Sequence, residues 1–71
     1  MIIPIRHQKL SLNEKNVLNA LSKEHLTSVQ ILNRIDSISL ILQVYSLLED
    51  LSSNGYVTSY VKKDVKYHYV R

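Results

Sequence analysis

The sequence predicts one small, mainly helical α+β domain in which three short helices precede a two-stranded β-hairpin. Two capping boxes, Ser11–Glu14 and Thr27–Gln30, mark helix starts, and residues 56–70 are rich in alternating Val and Tyr. A chain of 71 residues is long enough for one domain only. We expect residues 11–71 to form this domain and residues 1–10 to form an extended arm.

The first two helices are predicted from their caps and from the apolar spacing that follows each cap. Helical spacing of Val17, Leu18 and Leu21 places the first helix at about 12–23. The second helix is shorter, at about 28–35, with Val29, Leu32 and Ile35 as its apolar stripe. Leu26 and Ile31 stand at the N′ and N4 positions, where a hydrophobic staple fixes the entry of the chain.

The third helix is predicted over about 40–53, with Ser39 as its cap. Apolar residues recur at helical spacing and are expected to form its buried face: Ile41, Val44, Tyr45, Leu48 and Leu51. Asn54-Gly55 supplies a left-handed stop, which lets the chain turn at once into the first strand.

The hairpin is predicted from strands at 56–61 and 65–70, with Lys62-Lys63-Asp64 as a polar tip. Val57 and Val61 are expected to close over the helices. Tyr67 and Tyr69 share one face of the second strand and are also expected to pack on the helices. Tyr60 and His68 are placed on the outer face. In the arm, Pro4 cannot donate to a β-ladder, so residues 1–10 form an edge strand or an extended segment.

Composition excludes several classes of function. The sequence has no Cys, which excludes thiolate chemistry, and a single Gly excludes the glycine-rich phosphate loops. His7, His25 and His68 are scattered, so we expect no metal site and no cofactor. The chain is too small for a deep catalytic cleft, and we predict that it is not an enzyme. Its apolar runs are too short for a membrane span, and no signal peptide is recognisable, so a cytoplasmic protein is expected.

The net charge of +3 is divided unevenly along the chain. Residues 1–10 carry +2, residues 11–61 carry −2, and residues 62–71 carry +3. A basic, tyrosine-containing carboxyl end favours a polyanionic partner such as nucleic acid, although an ordinary solvated surface would also account for it.

The third helix and the segment after it resemble the recognition helix of PadR-like and MarR-like winged helix-turn-helix regulators. The resemblance lies in Tyr45, Leu48, Leu51 and Gly55 at their mutual spacing, followed by Tyr56-Val57. Leu26–Leu32 is similar to the start of the second helix in these families, and Lys66–Arg71 is similar to their second wing strand. The resemblance implies a winged-helix fold over 11–71 and a role in transcription regulation.

Two departures from these families affect the prediction. Those families carry further helices for dimerisation that this sequence does not show, so the chain is expected either to be a monomer or to form a homodimer through the arm or through a strip made by Leu40 and Leu47. The expected outward positions of the third helix carry no Lys or Arg: Ser39, Leu40, Gln43, Ser46, Leu47 and Asp50.

The leading hypothesis is a sequence-specific duplex-DNA-binding protein, a small transcriptional or plasmid/phage-type regulator. Its third helix would enter the major groove, and its basic wing would lie on the phosphates. Ser39, Gln43 and Ser46 would contact bases, with Gln43 suited to adenine. Phosphates would be bound by Arg34, Lys62, Lys63 and Lys66. The alternative is a winged-helix module that binds another protein, which the apolar Leu40 and Leu47 would favour if they were exposed in one patch.

Overall fold

The protein is a three-helix unit followed by a β-ribbon, as a computed structural model that describes residues 10–71 shows. Helix α1 spans Leu12–Leu21, α2 spans Ser28–Arg34 and α3 spans Ile41–Ser53. Strands β1, Val57–Lys62, and β2, Val65–Val70, form one antiparallel pair. This is the predicted mainly helical α+β architecture of a winged-helix fold. The predicted arm, apart from Leu10, lies outside the described residues.

Both predicted capping boxes form. The Ser11 hydroxyl accepts from the Glu14 amide at 3.1 Å, and the Glu14 carboxylate accepts from the Ser11 amide at 2.8 Å. Thr27 and Gln30 make the same reciprocal pair at 3.2 and 2.9 Å. These bonds satisfy backbone amides that the first turn leaves without partners, and they fix where α1 and α2 begin.

Helix α3 begins one residue later than predicted, and Ser39 is not its cap. Leu40 occupies the cap position, where its side chain has no oxygen to offer. The Gln43 carboxamide oxygen turns back instead and accepts from the amides of Ser39 and Leu40, each at 3.2 Å. The cap is therefore supplied from inside the helix.

The carboxyl end of α3 is a Schellman motif, as the Asn54-Gly55 pair predicted. Gly55 has φ +82°, in the left-handed region. The Gly55 amide donates to the Ser52 carbonyl at 3.0 Å, and the Tyr56 amide donates to the Leu51 carbonyl at 2.9 Å. These two bonds close the helix and direct the chain into β1.

The ribbon closes through a two-residue turn. Lys62 pairs with Val65, and Lys63 and Asp64 between them have φ of 54° and 65°. Two successive left-handed residues define the turn that matches the twist of a β-hairpin. Lys62 therefore belongs to β1 and is not part of the turn, because the pairing extends one residue further than predicted.

The core lies where the three helices meet the base of the ribbon. Its buried residues come from every helix, from the segments between them and from β1: Val17, Leu21, Leu26, Ile31, Ile35, Ile38, Val44, Leu48, Leu51 and Val57. Leu26 also forms an isolated antiparallel bridge with His68, with N–O distances of 3.1 and 2.7 Å. This bridge ties the α1–α2 connection to β2. The staple residues Leu26 and Ile31 are both part of this core.

Three apolar residues predicted to be buried are exposed. Tyr45 is 52% exposed, Val29 57% and Val61 66%. Tyr45 follows the buried Val44 by one position, which rotates it about 100° away from the core face. Val61 lies on the core-facing side of the ribbon but near its tip, beyond the reach of the helices.

The faces of β2 are the reverse of the prediction. His68 is 8% exposed and faces the helices, whereas Tyr67 and Tyr69 are half-buried on the opposite face with Tyr60. Two observations explain this orientation. Leu26 forms the bridge with His68, and His68 lies two residues from Val70 and therefore shares its core-facing side of the strand. Since strand side chains alternate, a shift of one residue exchanges every side chain between the faces.

Within the described residues, no helix combines the length and apolarity needed to cross a bilayer.

Candidate nucleic-acid interface

A cleft runs between α3 and the core-facing side of the ribbon. Its volume is about 360 Å³. Tyr45, Glu49 and Ser52 line it from α3, and Ser59 and Lys66 line it from the ribbon. The lining includes one carboxylate and one ammonium group, and the cleft is partly open to solvent. The arrangement places a cation of the ribbon opposite the exposed flank of α3.

His68 lines the floor of the cleft. Its ring Nε2 lies 3.3 Å from the Ser28 hydroxyl oxygen, at the start of α2. Burial, and secondarily the charge of Lys66, lowers the pKa of His68 below its ordinary value. A neutral imidazole is thus the form that this site accommodates, and it links the ribbon to the first turn of α2.

The three predicted wing lysines do not lie on one face. Lys66 lines the cleft beside α3, whereas Lys62 and Lys63 line a concavity on the other side of the ribbon. All three side chains are exposed, and none forms an ion pair with a described residue. The ribbon therefore presents cations on both sides, because Lys62 and Lys66 fall at positions of opposite parity in the register.

The predicted base-contacting residues Ser39, Gln43 and Ser46 are all exposed at or on α3. Ser46 lies on the surface turned away from the buried Val44 and Leu48. Gln43 lies on the flank away from the cleft, and its carboxamide oxygen is engaged by two backbone amides. The Gln43 amide nitrogen remains as a hydrogen-bond donor.

Arg34 lies apart from the other predicted contacts. Its guanidinium forms an ion pair with Glu24, and both side chains are about half exposed. The hydrogen bond to Arg34 and its charge lower the pKa of Glu24 below the usual range. Arg34 also lines a surface concavity with Asn16 and Asn19 of α1, away from the cleft. A phosphate at Arg34 would have to share the guanidinium with Glu24.

The apolar strip predicted from Leu40 and Leu47 is not continuous. Leu40 is 61% exposed, but Leu47 is half-buried and packs against the core. Leu42, which the sequence prediction left out, is 71% exposed on the outer side of α3. The exposed apolar residues of α3 and its cap are therefore Leu40, Leu42 and Tyr45, near the start of the helix.

Several cleft residues were missed by sequence reasoning: Ser28, Tyr45, Ser52, Ser59 and His68. A helical wheel centred on Val44, Leu48 and Leu51 places Tyr45 and Ser52 on one flank, and this signal could have found them. No signal in the sequence pairs Ser28 with His68, because the two residues are brought together by the Leu26 bridge.

Comparison with known proteins supports the fold. No protein-family model matches the sequence, and no curated protein matches it significantly. The solved structure of the ferric uptake regulator Fur from Helicobacter pylori, which has three functional metal-binding sites, superposes with a TM-score of 0.71 at 20% identity. The match covers 87% of this chain and 45% of Fur, so the chain spans less than half the length of that protein. Among residues 10–71, no three or more metal-ligating side chains cluster. The likeness establishes a winged-helix fold.

Proposed function

We propose that this protein is a duplex-DNA-binding winged-helix regulator. In this proposal α3 enters the major groove, and the ribbon contacts the flanking phosphates. The observation that carries it is the cleft, in which Lys66 of the ribbon faces the exposed flank of α3. The similarity of the fold to the regulator Fur supports the proposal, as does the resemblance of α3 to the recognition helix of PadR-like and MarR-like proteins.

Lys66 is the best-placed phosphate ligand. It is exposed on the wall of the cleft and forms no ion pair among the described side chains. Glu49 lines the same cleft and would repel a phosphate that approached α3 there. Attraction by Lys66 and repulsion by Glu49 together favour an approach in which the DNA backbone lies against the ribbon and the bases lie against α3. Lys62 and Lys63, near and at the turn, would contact the backbone further along.

The polar residues of α3 would supply the base contacts. Ser46 is exposed on the outer side of the helix and can donate or accept. Gln43 offers its amide nitrogen, because its oxygen caps α3. A single donor fits an acceptor on a base edge, such as a purine N7, and does not by itself make the bidentate contact with adenine that requires both atoms. Ser39 would contribute through its hydroxyl, and Arg34 remains a predicted phosphate contact.

The proposal is tested by binding to random duplex DNA across a salt series. Each lysine that neutralises a phosphate contributes about 0.9 to the slope of log affinity against log salt. Lys66→Ala should flatten the slope by about one unit, and Lys62→Ala with Lys63→Ala should flatten it by one to two units. Lys15→Ala, on the exposed side of α1, is the matched control and should leave the slope unchanged.

Sequence preference is tested separately by selection from a random duplex library. Gln43→Ala should relax the preference and leave the salt slope as it is, because the residue contacts no phosphate. Lack of salt-sensitive duplex binding by the wild type near 50 mM salt would contradict the proposal. Equal slope changes for Lys66→Ala and Lys15→Ala would also contradict it.

A second candidate function, binding to another protein, is favoured by the apolar start of α3. Leu42 and Tyr45, three residues apart on one side of α3, are each more than half exposed, as is Leu40 at the cap, and adjoining exposed apolar residues are typical of a contact surface. A second copy of the chain is the simplest partner, and such a homodimer would use Leu40 of the predicted strip together with Leu42 in place of Leu47. Sedimentation equilibrium should show a dimer that Leu42→Ser abolishes and that Val29→Ser, on α2, leaves intact. A monomer at high concentration would exclude this dimer.

A further inference from the structure

The face of the ribbon that is turned away from α3 carries an aromatic platform made of His25, Tyr60, Tyr67 and Tyr69. Tyr60 and Tyr67, on opposite strands, stack with ring centroids 5.6 Å apart and planes at 23°. His25 stacks on Tyr69 at 4.8 Å and 27°, and meets the edge of Tyr60 at 5.4 Å. Tyr60 and Tyr69 lie 5.7 Å apart. The four rings therefore form one connected surface across both strands.

The platform is held in place without being part of the core. None of its four residues belongs to the core cluster, and Tyr60 and His25 are exposed. The Tyr60 hydroxyl oxygen lies 2.8 Å from His25 Nδ1, a hydrogen bond that ties the platform to the α1–α2 connection. Rings that are already ordered by their mutual contacts lose little conformational entropy when a flat ligand stacks on them.

Positive charge flanks the platform on both sides. Lys62 and Lys63 line a shallow concavity of about 510 Å³ together with His25, Tyr60 and Tyr67. At the other end, Lys23 lines a second concavity with His25 and Tyr69. Glu24 also borders that second concavity, but its carboxylate is engaged by Arg34. Rings with cations at both ends suit a ligand that carries flat bases on an anionic backbone.

We propose that the aromatic platform binds unpaired bases of single-stranded DNA. A duplex hides the faces of its bases by stacking them on each other, so only a single strand can offer them to these rings. Lys62 and Lys63 at one end and Lys23 at the other would hold the phosphates on either side of the stacked bases. The choice of DNA over RNA rests on the proposed function, since the duplex cleft lies on the opposite face of the same ribbon.

Fluorescence anisotropy of a labelled 15-nucleotide oligothymidylate tests the proposal. An abasic strand of equal length is the control, because it carries the same phosphates and offers no rings. The wild type should bind oligothymidylate at least tenfold more tightly than the abasic strand. Tyr60→Leu should remove about tenfold of that affinity, whereas Tyr60→Phe, which keeps the ring, should retain it. Tyr45→Leu, on the cleft side, should leave oligothymidylate binding unchanged.

The outcomes separate this proposal from the duplex proposal. Tyr60→Leu should bind random duplex DNA with the same affinity as the wild type. This expectation holds whether or not Lys66→Ala weakens duplex binding. A second measurement needs no variant: oligothymidylate should quench the tyrosine fluorescence of the wild type, and the abasic strand should not. Equal affinity for oligothymidylate and the abasic strand would overturn the proposal, because binding would then depend on the phosphate charges and not on the bases. Tighter binding of oligouridylate than of oligothymidylate would overturn the assignment to DNA.

Discussion

Replacing Gly55 should change the free energy of unfolding through backbone conformation alone. The Gly55 φ of +82° lies in the left-handed region, and a Cβ added there would meet no atom within 4 Å. Gly55→Ala therefore introduces backbone strain without a steric clash. That strain costs about 1–2 kcal/mol for an L-residue, and the lower entropy of the unfolded chain returns about 0.4–1 kcal/mol. We expect a net loss of about 1 kcal/mol.

For a domain of this size, a loss of about 1 kcal/mol lowers the melting temperature by about 4–8 °C. Thermal unfolding followed by circular dichroism should rank Gly55→Val below Gly55→Ala, because a β-branched residue is more strongly disfavoured at positive φ. Gly55→Asn should lie close to the wild type, since Asn tolerates this region. Ser53→Ala, on the exposed last residue of α3, is the control and should change stability by less than about 0.5 kcal/mol.

The reasoning would be refuted by a stabilising Gly55→Ala, which would mean that this residue is not left-handed in solution. A loss above about 3 kcal/mol would refute it in the other direction, because strain alone does not reach that value and a clash would be required.

Three further predictions concern the core, the buried histidine and the cleft. Leu48→Ala should cost about 2–5 kcal/mol in urea unfolding, because Leu48 is 6% exposed in the core, and an unchanged midpoint would contradict its placement. Stability should fall as the pH drops below about 6.5, since the unfolded chain takes up a proton on His68 before the folded chain does. The fall in melting temperature between pH 7.5 and pH 5 should be smaller for His68→Gln, and an equal fall would contradict the assignment. Glu49→Gln should tighten random-duplex binding about two- to fivefold at low salt, and weaker binding would show that Glu49 does not face the phosphates.

Local signals in the sequence identified the elements correctly because they depend on neighbouring residues. The Ser11–Glu14 and Thr27–Gln30 pairs each place a hydroxyl and an acceptor three residues apart, and that spacing specifies a helix start without help from the rest of the chain. Gly55 specifies the end of α3 in the same way. The predicted start of α3 was wrong by one residue, because the Gln43 carboxamide oxygen turns back to accept from the Ser39 and Leu40 amides and Leu40 becomes the cap residue.

The candidate site was predicted less well than the fold. Lysines were found in the ribbon from composition, but their division between two faces depends on the register, in which Val61 opposes Lys66 and Lys62 opposes Val65. Arg34 was predicted to be available at the end of α2, and the structure pairs it with Glu24, ten residues earlier. A charge count along the chain does not reveal that pairing, because the path of the α1–α2 connection and of α2 sets the distance between the two residues.

The sequence by itself determined three helices, the caps of α1 and α2, the glycine stop and a β-hairpin, because capping, helical periodicity and positive φ are properties of a few consecutive residues. Only the tertiary structure decided which face of the ribbon is buried. The bridge between Leu26 and His68 fixes the parity of β2, and this one contact turns His68 inward and leaves the tyrosines outside. The physical reason is that a strand has two equivalent faces until a partner distant in the chain selects one, so both the cleft and the aromatic platform depend on a contact between residues 42 positions apart.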